Sequence, residues 1–189
     1  MENQRMWEID KQFDFCYGHR VHNQKLNSEY TSNGDQCLKC RHLHGHQGKI
    51  KVHLKAPILE GGMVTDFKHL GWFKDFIDDT LDHKFIMDIN DPIIWHEVPE
   101  LCKDGKLDFN KLHKFSQGFW LPDLNQLQSV HPAVYEKYEG MVFVDFVPTS
   151  ENLTSWLLDI AREKMQKIGV VVSAVEFWET PKSHCKVSF

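Results

Sequence analysis

Gly48-Lys49-Ile50-Lys51-Val52-His53-Leu54-Lys55-Ala56 alternates without a break. Ile50, Val52 and Leu54 fall on one side, and Lys49, Lys51, His53 and Lys55 on the other. A strict two-residue period is the mark of a strand with one face buried and one face wet. Upstream, Trp7 to Phe15 repeats the pattern, with Trp7, Ile9, Phe13 and Phe15 sharing a parity. Downstream the period changes. Phe67, Leu70, Phe73, Phe76 or Ile77 and Leu81 recur at steps of three and four, which predicts an amphipathic helix with Asp66 as its N-cap. Two strands in succession before any helix argue against an alternating parallel sheet.

The rest of the chain extends this order. His22 to Gly34 is polar and reads as a loop, and Asp91 to Gly140 carries Pro92, Pro99, Pro122 and Pro132, with a short helix expected at Phe109 to Phe115. Met141 to Val147 reads as a strand stopped by Pro148. Ser150 to Ile168 is a second amphipathic helix, capped by Thr149 or Ser150, and Val170 to Glu179 is a very apolar strand. The expected fold is α+β: a four-stranded antiparallel sheet with two helices packed on one face. Residues 1–189 are expected to form a single domain.

Composition narrows the function. The chain has 189 residues, 41% of them apolar, with thirteen Phe and six Trp, which is enough to build a core. The net charge is −5 and no basic run is present, which argues against a nucleic-acid partner. Met1 to Asp10 has no apolar h-region, and no stretch approaches the roughly 18 apolar residues of a membrane span. Neither a leader nor a membrane association is therefore expected. Five cysteines, an odd number without a leader, fit a reducing cytoplasm better than a disulfide framework.

The densest chemistry lies in Cys37-Leu38-Lys39-Cys40-Arg41-His42-Leu43-His44-Gly45-His46. His44 and His46 are two apart at the entry to a strand, so both imidazoles share one face. Three His ligands would hold Zn²⁺ with its fourth position open, the arrangement of catalytic sites. His19, after the first strand, is the leading third ligand, with His22 and His42 in reserve. The competing reading is a closed structural site of Cys37, Cys40, His44 and His46. Its spacing is tighter than zinc-finger modules use.

Other groups could carry acid–base work or anchor a ligand. Cys40 near a divalent cation would deprotonate readily. Asp82-His83 pairs a carboxylate with an imidazole. Glu179, at a strand end, could accept two N–H bonds from a guanidine-like ring edge. Thr149 and Ser150 open a helix whose free N–H groups can bind a carbonyl or an anion, although simple capping explains them too. Arg20 and Lys39 are candidates for holding phosphate. His96-Glu97 is not a metalloprotease motif, because no His follows four residues after His96.

Six ordered segments resemble the 6-pyruvoyltetrahydropterin synthase / 6-carboxytetrahydropterin synthase family. They are Phe13 to His19, Cys40-Arg41-His42-Leu43-His44-Gly45-His46, Gly62-Met63-Val64-Thr65-Asp66-Phe67, Leu81-Asp82-His83, Pro148-Thr149-Ser150-Glu151-Asn152 and Glu179-Thr180. The likeness covers about residues 6–90 and 145–189. It implies Zn²⁺ on His19, His44 and His46, Cys40 as proton-transfer catalyst, and Asp82-His83 as a second acid/base dyad. It also implies Glu179 as pterin anchor, helped by the backbone at Thr149 and Ser150. The implied substrate is 7,8-dihydroneopterin triphosphate. The implied assembly is a homo-oligomeric barrel of the tunnelling-fold type, a hexamer built as a dimer of trimers, with active sites between subunits.

One branch of the family makes 6-pyruvoyltetrahydropterin for biopterin. The other also releases acetaldehyde and makes 6-carboxy-5,6,7,8-tetrahydropterin for queuosine and other 7-deazaguanines. The Cys-Arg-x-Leu-His-Gly-His wording and the closing Glu-Thr with Cys185 look more like the second branch. Two departures stand out. Tyr17-Gly18 replaces the small residues before the first histidine, and residues 90–140 form a family-atypical insertion, expected to cover a subunit edge or the pocket mouth.

Overall fold

The computed structural model describes residues 5–188, so residues 1–4 of the leader reading and residue 189 lie outside the described residues. In chain order the elements begin with β1 (Trp7–His19), β2 (His44–Ala56), α1 (Gly71–Thr80) and β3 (Lys84–Asp88). Then follow α2 (Ile94–Glu97), β4 (Cys102–Lys103), β5 (Lys106–Leu107), β6 (Leu112–Ser116), β7 (Phe119–Pro122) and α3 (Pro132–Glu139). The chain ends with β8 (Met141–Val144), α4 (Ser150–Met165), β9 (Val171–Thr180) and β10 (Ser183–Ser188).

The sheet corrects the expected four-stranded antiparallel one. Eight strands are hydrogen-bonded in the order β10-β9-β2-β1-β3-β8-β7-β6, and the pairing is mixed. β2 with β9 and β9 with β10 are antiparallel, whereas β1 with β3 and β3 with β8 are parallel. The reason lies in Phe85-Ile86-Met87 and Met141-Val142-Phe143-Val144. Strands buried on both faces read as continuous apolar runs, and such runs do not announce their direction or partners.

The chain divides into two compact units. Among the described residues, the first gathers 5–16, 46–82 and 149–188. Its core joins the inward residues of β1, β2 and β9 to the apolar stripes of α1 and α4. Phe13 lies against Phe73, Phe15 against Phe177 and Phe76 against Trp156. Asp66 caps the helical segment, as its side chain accepts the Lys68 N–H, but the first turn, Phe67–Leu70, is 3-10. α4 is capped by Thr149 and packs on β9 and β10. It runs into a 3-10 turn, Gln166–Ile168, and stops at Gly169, whose φ of +73° suits a residue without a Cβ.

The second unit gathers residues 17–45 and 83–148. Its core includes Met87, Ile94, Val98, Leu101, Leu127, Tyr138 and Phe143. The segment 90–140 therefore carries elements and buried side chains of its own. The helix expected at Phe109 to Phe115 is instead a 3-10 turn, Phe109–Lys111, followed by β6. Asp108 caps that turn by accepting the Asn110 N–H, a local bond that satisfies the backbone without helix propagation.

Candidate metal centre

β1 runs four residues beyond the expected Phe15 and ends on His19. That histidine is fully buried and pairs in register with Ile86 of β3. Its Nδ1 lies 2.6 Å from the Pro148 carbonyl oxygen. A carbonyl only accepts, so Nδ1 carries the proton and Nε2 carries the ring's lone pair, the tautomer in which an imidazole can bind a metal. His44, the first residue of β2, repeats the arrangement: its Nδ1 donates to the His42 carbonyl at 2.7 Å. The His19 and His44 ring centroids are 4.5 Å apart. His46 completes the group. One ligand nitrogen from each of His19, His44 and His46 lies within 4.8 Å of the other two. Three imidazoles, two held in the tautomer that presents Nε2, are a donor set that could hold a metal ion.

Two glycines make the approach possible. A Cβ on Gly45 would stand 2.9 Å from the Tyr17 carbonyl oxygen, and one on Gly18 would stand 2.6 Å from the Phe85 ring. Close backbone passage at His-Gly-His thus explains its central residue, and Tyr17-Gly18 places the small residue where Phe85 crosses.

Glu179, the penultimate residue of β9, has Oε1 3.5 Å from His46 Nε2. Cys40 sits on a 3-10 turn, Lys39–Arg41, half-buried. Among the described residues the metal-capable group contains neither Cys37 nor Cys40. Asp82 accepts the Cys16 N–H of β1 at 2.7 Å. His83 follows it with φ +58°, a conformation a non-glycine residue adopts only when its surroundings hold it there. The Thr149 hydroxyl accepts the Asn152 N–H as an N-cap, and the Ser150 carbonyl accepts the Thr154 hydroxyl. Of the reserve and phosphate candidates, His22 lies 2.9 Å from Asp88 and Arg20 lies 3.0 Å from Asp91. Sequence reasoning missed the Pro148 carbonyl as the group that orients His19. Its position before the capped helix was visible, but a backbone oxygen leaves no side-chain signature.

A mixed sheet with two amphipathic helices packed on it and a three-imidazole group at the ends of adjacent strands defines an α+β protein with a metal-capable centre. The chain belongs to the family described as 6-pyruvoyl tetrahydropterin synthase, whose model matches residues 8–188. It is 32% identical over 188 residues to a 6-carboxy-5,6,7,8-tetrahydropterin synthase of Aquifex aeolicus, covering 94% of each chain. It is 24% identical over 187 residues to the protein of that name from Haemophilus influenzae, covering 96% of this chain and 98% of that one. Among solved structures, an uncharacterized protein from Wolinella succinogenes is 48% identical, with a TM-score of 0.91 and coverage of 97% and 98%. The 6-pyruvoyl tetrahydropterin synthase of Caenorhabditis elegans shares the fold at 19% identity, with a TM-score of 0.54 and coverage of 100% and 99%. No helix among the described residues is long and apolar enough to cross a membrane.

Proposed function

We propose that this protein is a cytoplasmic, zinc-dependent lyase. It converts 7,8-dihydroneopterin triphosphate and water to 6-carboxy-5,6,7,8-tetrahydropterin, acetaldehyde and triphosphate, as a step toward queuosine and related 7-deazaguanines. The observation that carries the proposal is the His19, His44 and His46 group with the Glu179 carboxylate beside His46. The names of the Aquifex and Haemophilus relatives favour the carboxy product over the pyruvoyl one.

His19, His44 and His46 would hold Zn²⁺, three neutral imidazoles being the ligand set of open catalytic sites. A zinc ion held there would supply Lewis-acid polarisation of the substrate's side-chain hydroxyls, which would lower the cost of removing their protons. Glu179 is the group to accept N–H bonds from the pterin's guanidine-like edge, which would orient the side chain toward the histidines. Cys40 is the proposed proton-transfer group, and Asp82 with His83 the second acid–base pair. The N–H groups around Thr149 and Ser150, at the start of α4, can meet the ring carbonyl. A homo-oligomer, a dimer of trimers, is the proposed assembly, to be read by light scattering.

The test is a product assay. Zinc-loaded protein is incubated with 7,8-dihydroneopterin triphosphate and an acetaldehyde trap, and the products are read by mass spectrometry. Trapped acetaldehyde with 6-carboxytetrahydropterin supports the proposal. 6-Pyruvoyltetrahydropterin without acetaldehyde moves the protein to the biopterin-type reaction, and no turnover with zinc bound removes the enzymatic reading.

A further inference from the structure

Two carboxylates that no step of the proposed reaction uses are almost completely buried: Asp88 at 3% exposure and Asp91 at 2%. Aspartates are seldom buried unless paired, so each should have partners. Asp88 ends β3, and its Oδ1 accepts the Asn90 N–H at 2.8 Å. Its other oxygen, Oδ2, meets His22 Nε2 at 2.9 Å. Asp91 behaves the same way. Oδ1 accepts the Ile93 N–H at 3.0 Å, and Oδ2 meets Arg20 Nε at 3.0 Å. Each carboxylate therefore spends one oxygen on the turn that opens the 90–140 segment. The other grips the stretch that follows His19.

That stretch in turn holds Cys40. The Val21 N–H donates to the Cys40 carbonyl at 2.7 Å, and the Cys40 N–H donates to Gln24 Oε1 at 3.0 Å. The Arg41 guanidinium adds two bonds to the Gln24 carbonyl, from Nε at 3.1 Å and from Nη2 at 2.7 Å. The peptide of Cys40 is thus bound on both sides by residues 21–24. Those residues are fixed by Arg20 and His22, and these by Asp91 and Asp88. Cys40 itself is half-buried on the short 3-10 turn Lys39–Arg41, so the placement of its thiol follows the placement of that turn.

We infer that Asp88, Asp91 and Gln24 are positioning residues for Cys40, and that the root of the 90–140 segment serves to fix the catalytic thiol. The inference rests on the role proposed for Cys40. Its physical content, that residues 20–24 clamp the Cys40 turn, is readable without turnover. Positioning of this kind acts on the rate of a proton transfer more than on substrate binding, because a displaced thiol still leaves the pterin anchor and the metal ligands in place.

The experiment compares wild type with Gln24→Ala, a partly exposed position where folding should survive, and with Asp91→Asn. Three quantities are read in the full-length, zinc-loaded protein: the iodoacetamide alkylation rate at Cys40 (by peptide mass mapping), zinc content, and kcat with KM. Both variants should alkylate Cys40 at least threefold faster with zinc content unchanged, and kcat should fall about tenfold with KM within twofold. Unchanged Cys40 reactivity in both variants overturns the inference. Loss of zinc in step with activity overturns it as well, since the pairs would then support the metal ligands. If wild type does not turn over the pterin, the proposed function fails, while the alkylation rates still decide the clamp.

Discussion

At the scale of single residues, the site depends on small distances and on which atom carries a proton. Gly45 is required because the Tyr17 carbonyl leaves no room for a side chain. Gly45→Ala should cost about 1–3 kcal/mol of stability, the usual price of overpacking, and should weaken zinc binding by forcing the His44 backbone away from β1. Chemical denaturation and a zinc titration would check both, and unchanged values for both would refute the argument. The two nearby cysteines should behave oppositely. Cys40→Ala should retain zinc and lose about 10²–10⁴-fold in kcat, the range for removal of a proton-transfer group. Cys37→Ala should retain both zinc and activity, because Cys37 is exposed and outside the histidine group. Zinc loss in Cys37→Ala would restore the closed structural site. His44 and His46 were legible in the sequence, because a two-residue step at a strand entry puts two imidazoles on one face. The tautomers were not. They are set by the backbone oxygens of Pro148 and His42, and a carbonyl has the same chemistry at every position in a chain.

Among elements, the most legible are those with one wet face. β1, β2, α1 and α4 advertise themselves through their period, since solvent on one side forces polar residues into a fixed rhythm, while β9 stands out only as an apolar run. β8 is legible as a strand from its apolar run, but β3 escapes, and the parallel pairing of both rests on contacts far apart in sequence. β10 escapes for a different reason: Ser183-His184-Cys185-Lys186-Val187-Ser188 is a polar edge whose partner decides its state. The alternation of β2 also conceals an irregularity. The β2–β9 register shifts between His53 and Leu54, and His53 is buried although the pattern places it on the wet side. His53 Nε2 lies 2.6 Å from Glu176 Oε1, and Lys186 Nζ lies 3.2 Å from the same oxygen, with His184 at 3.9 Å from Oε2. Burial pushes the Glu176 carboxyl up, but Lys186 and His53 together more than offset this and hold it below the usual glutamate range. A folded-state pKa below the unfolded value stabilises the protein above that unfolded value, about pH 4.3 for glutamate, and the gain fades as pH falls through the depressed value. Wild type should therefore melt higher than Glu176→Gln at pH 7, and the gap should close as the pH drops below about 4.3. Thermal melts from pH 7 to pH 3 would show it, and a gap that widens toward acid would contradict the assignment.

Across the whole molecule, a bound metal would be a ligand of the folded state alone. Its three proposed ligands come from the end of β1 and the start of β2, and His19 is further oriented by Pro148, which stands 129 residues later in the chain. An unfolded chain cannot hold those groups together, so free metal at a hundred times its dissociation constant would add about 2.7 kcal/mol to unfolding. Stripping the protein with a chelator should accordingly lower its melting temperature, and returning zinc should restore it in a concentration-dependent way. His44→Ala separates this effect from nonspecific binding at the other histidines, twelve being present in the chain. The variant should melt near the chelated wild type and gain nothing from added zinc. If it gains as much as wild type does, the stabilising ion sits elsewhere and the His19, His44 and His46 group is not the metal centre.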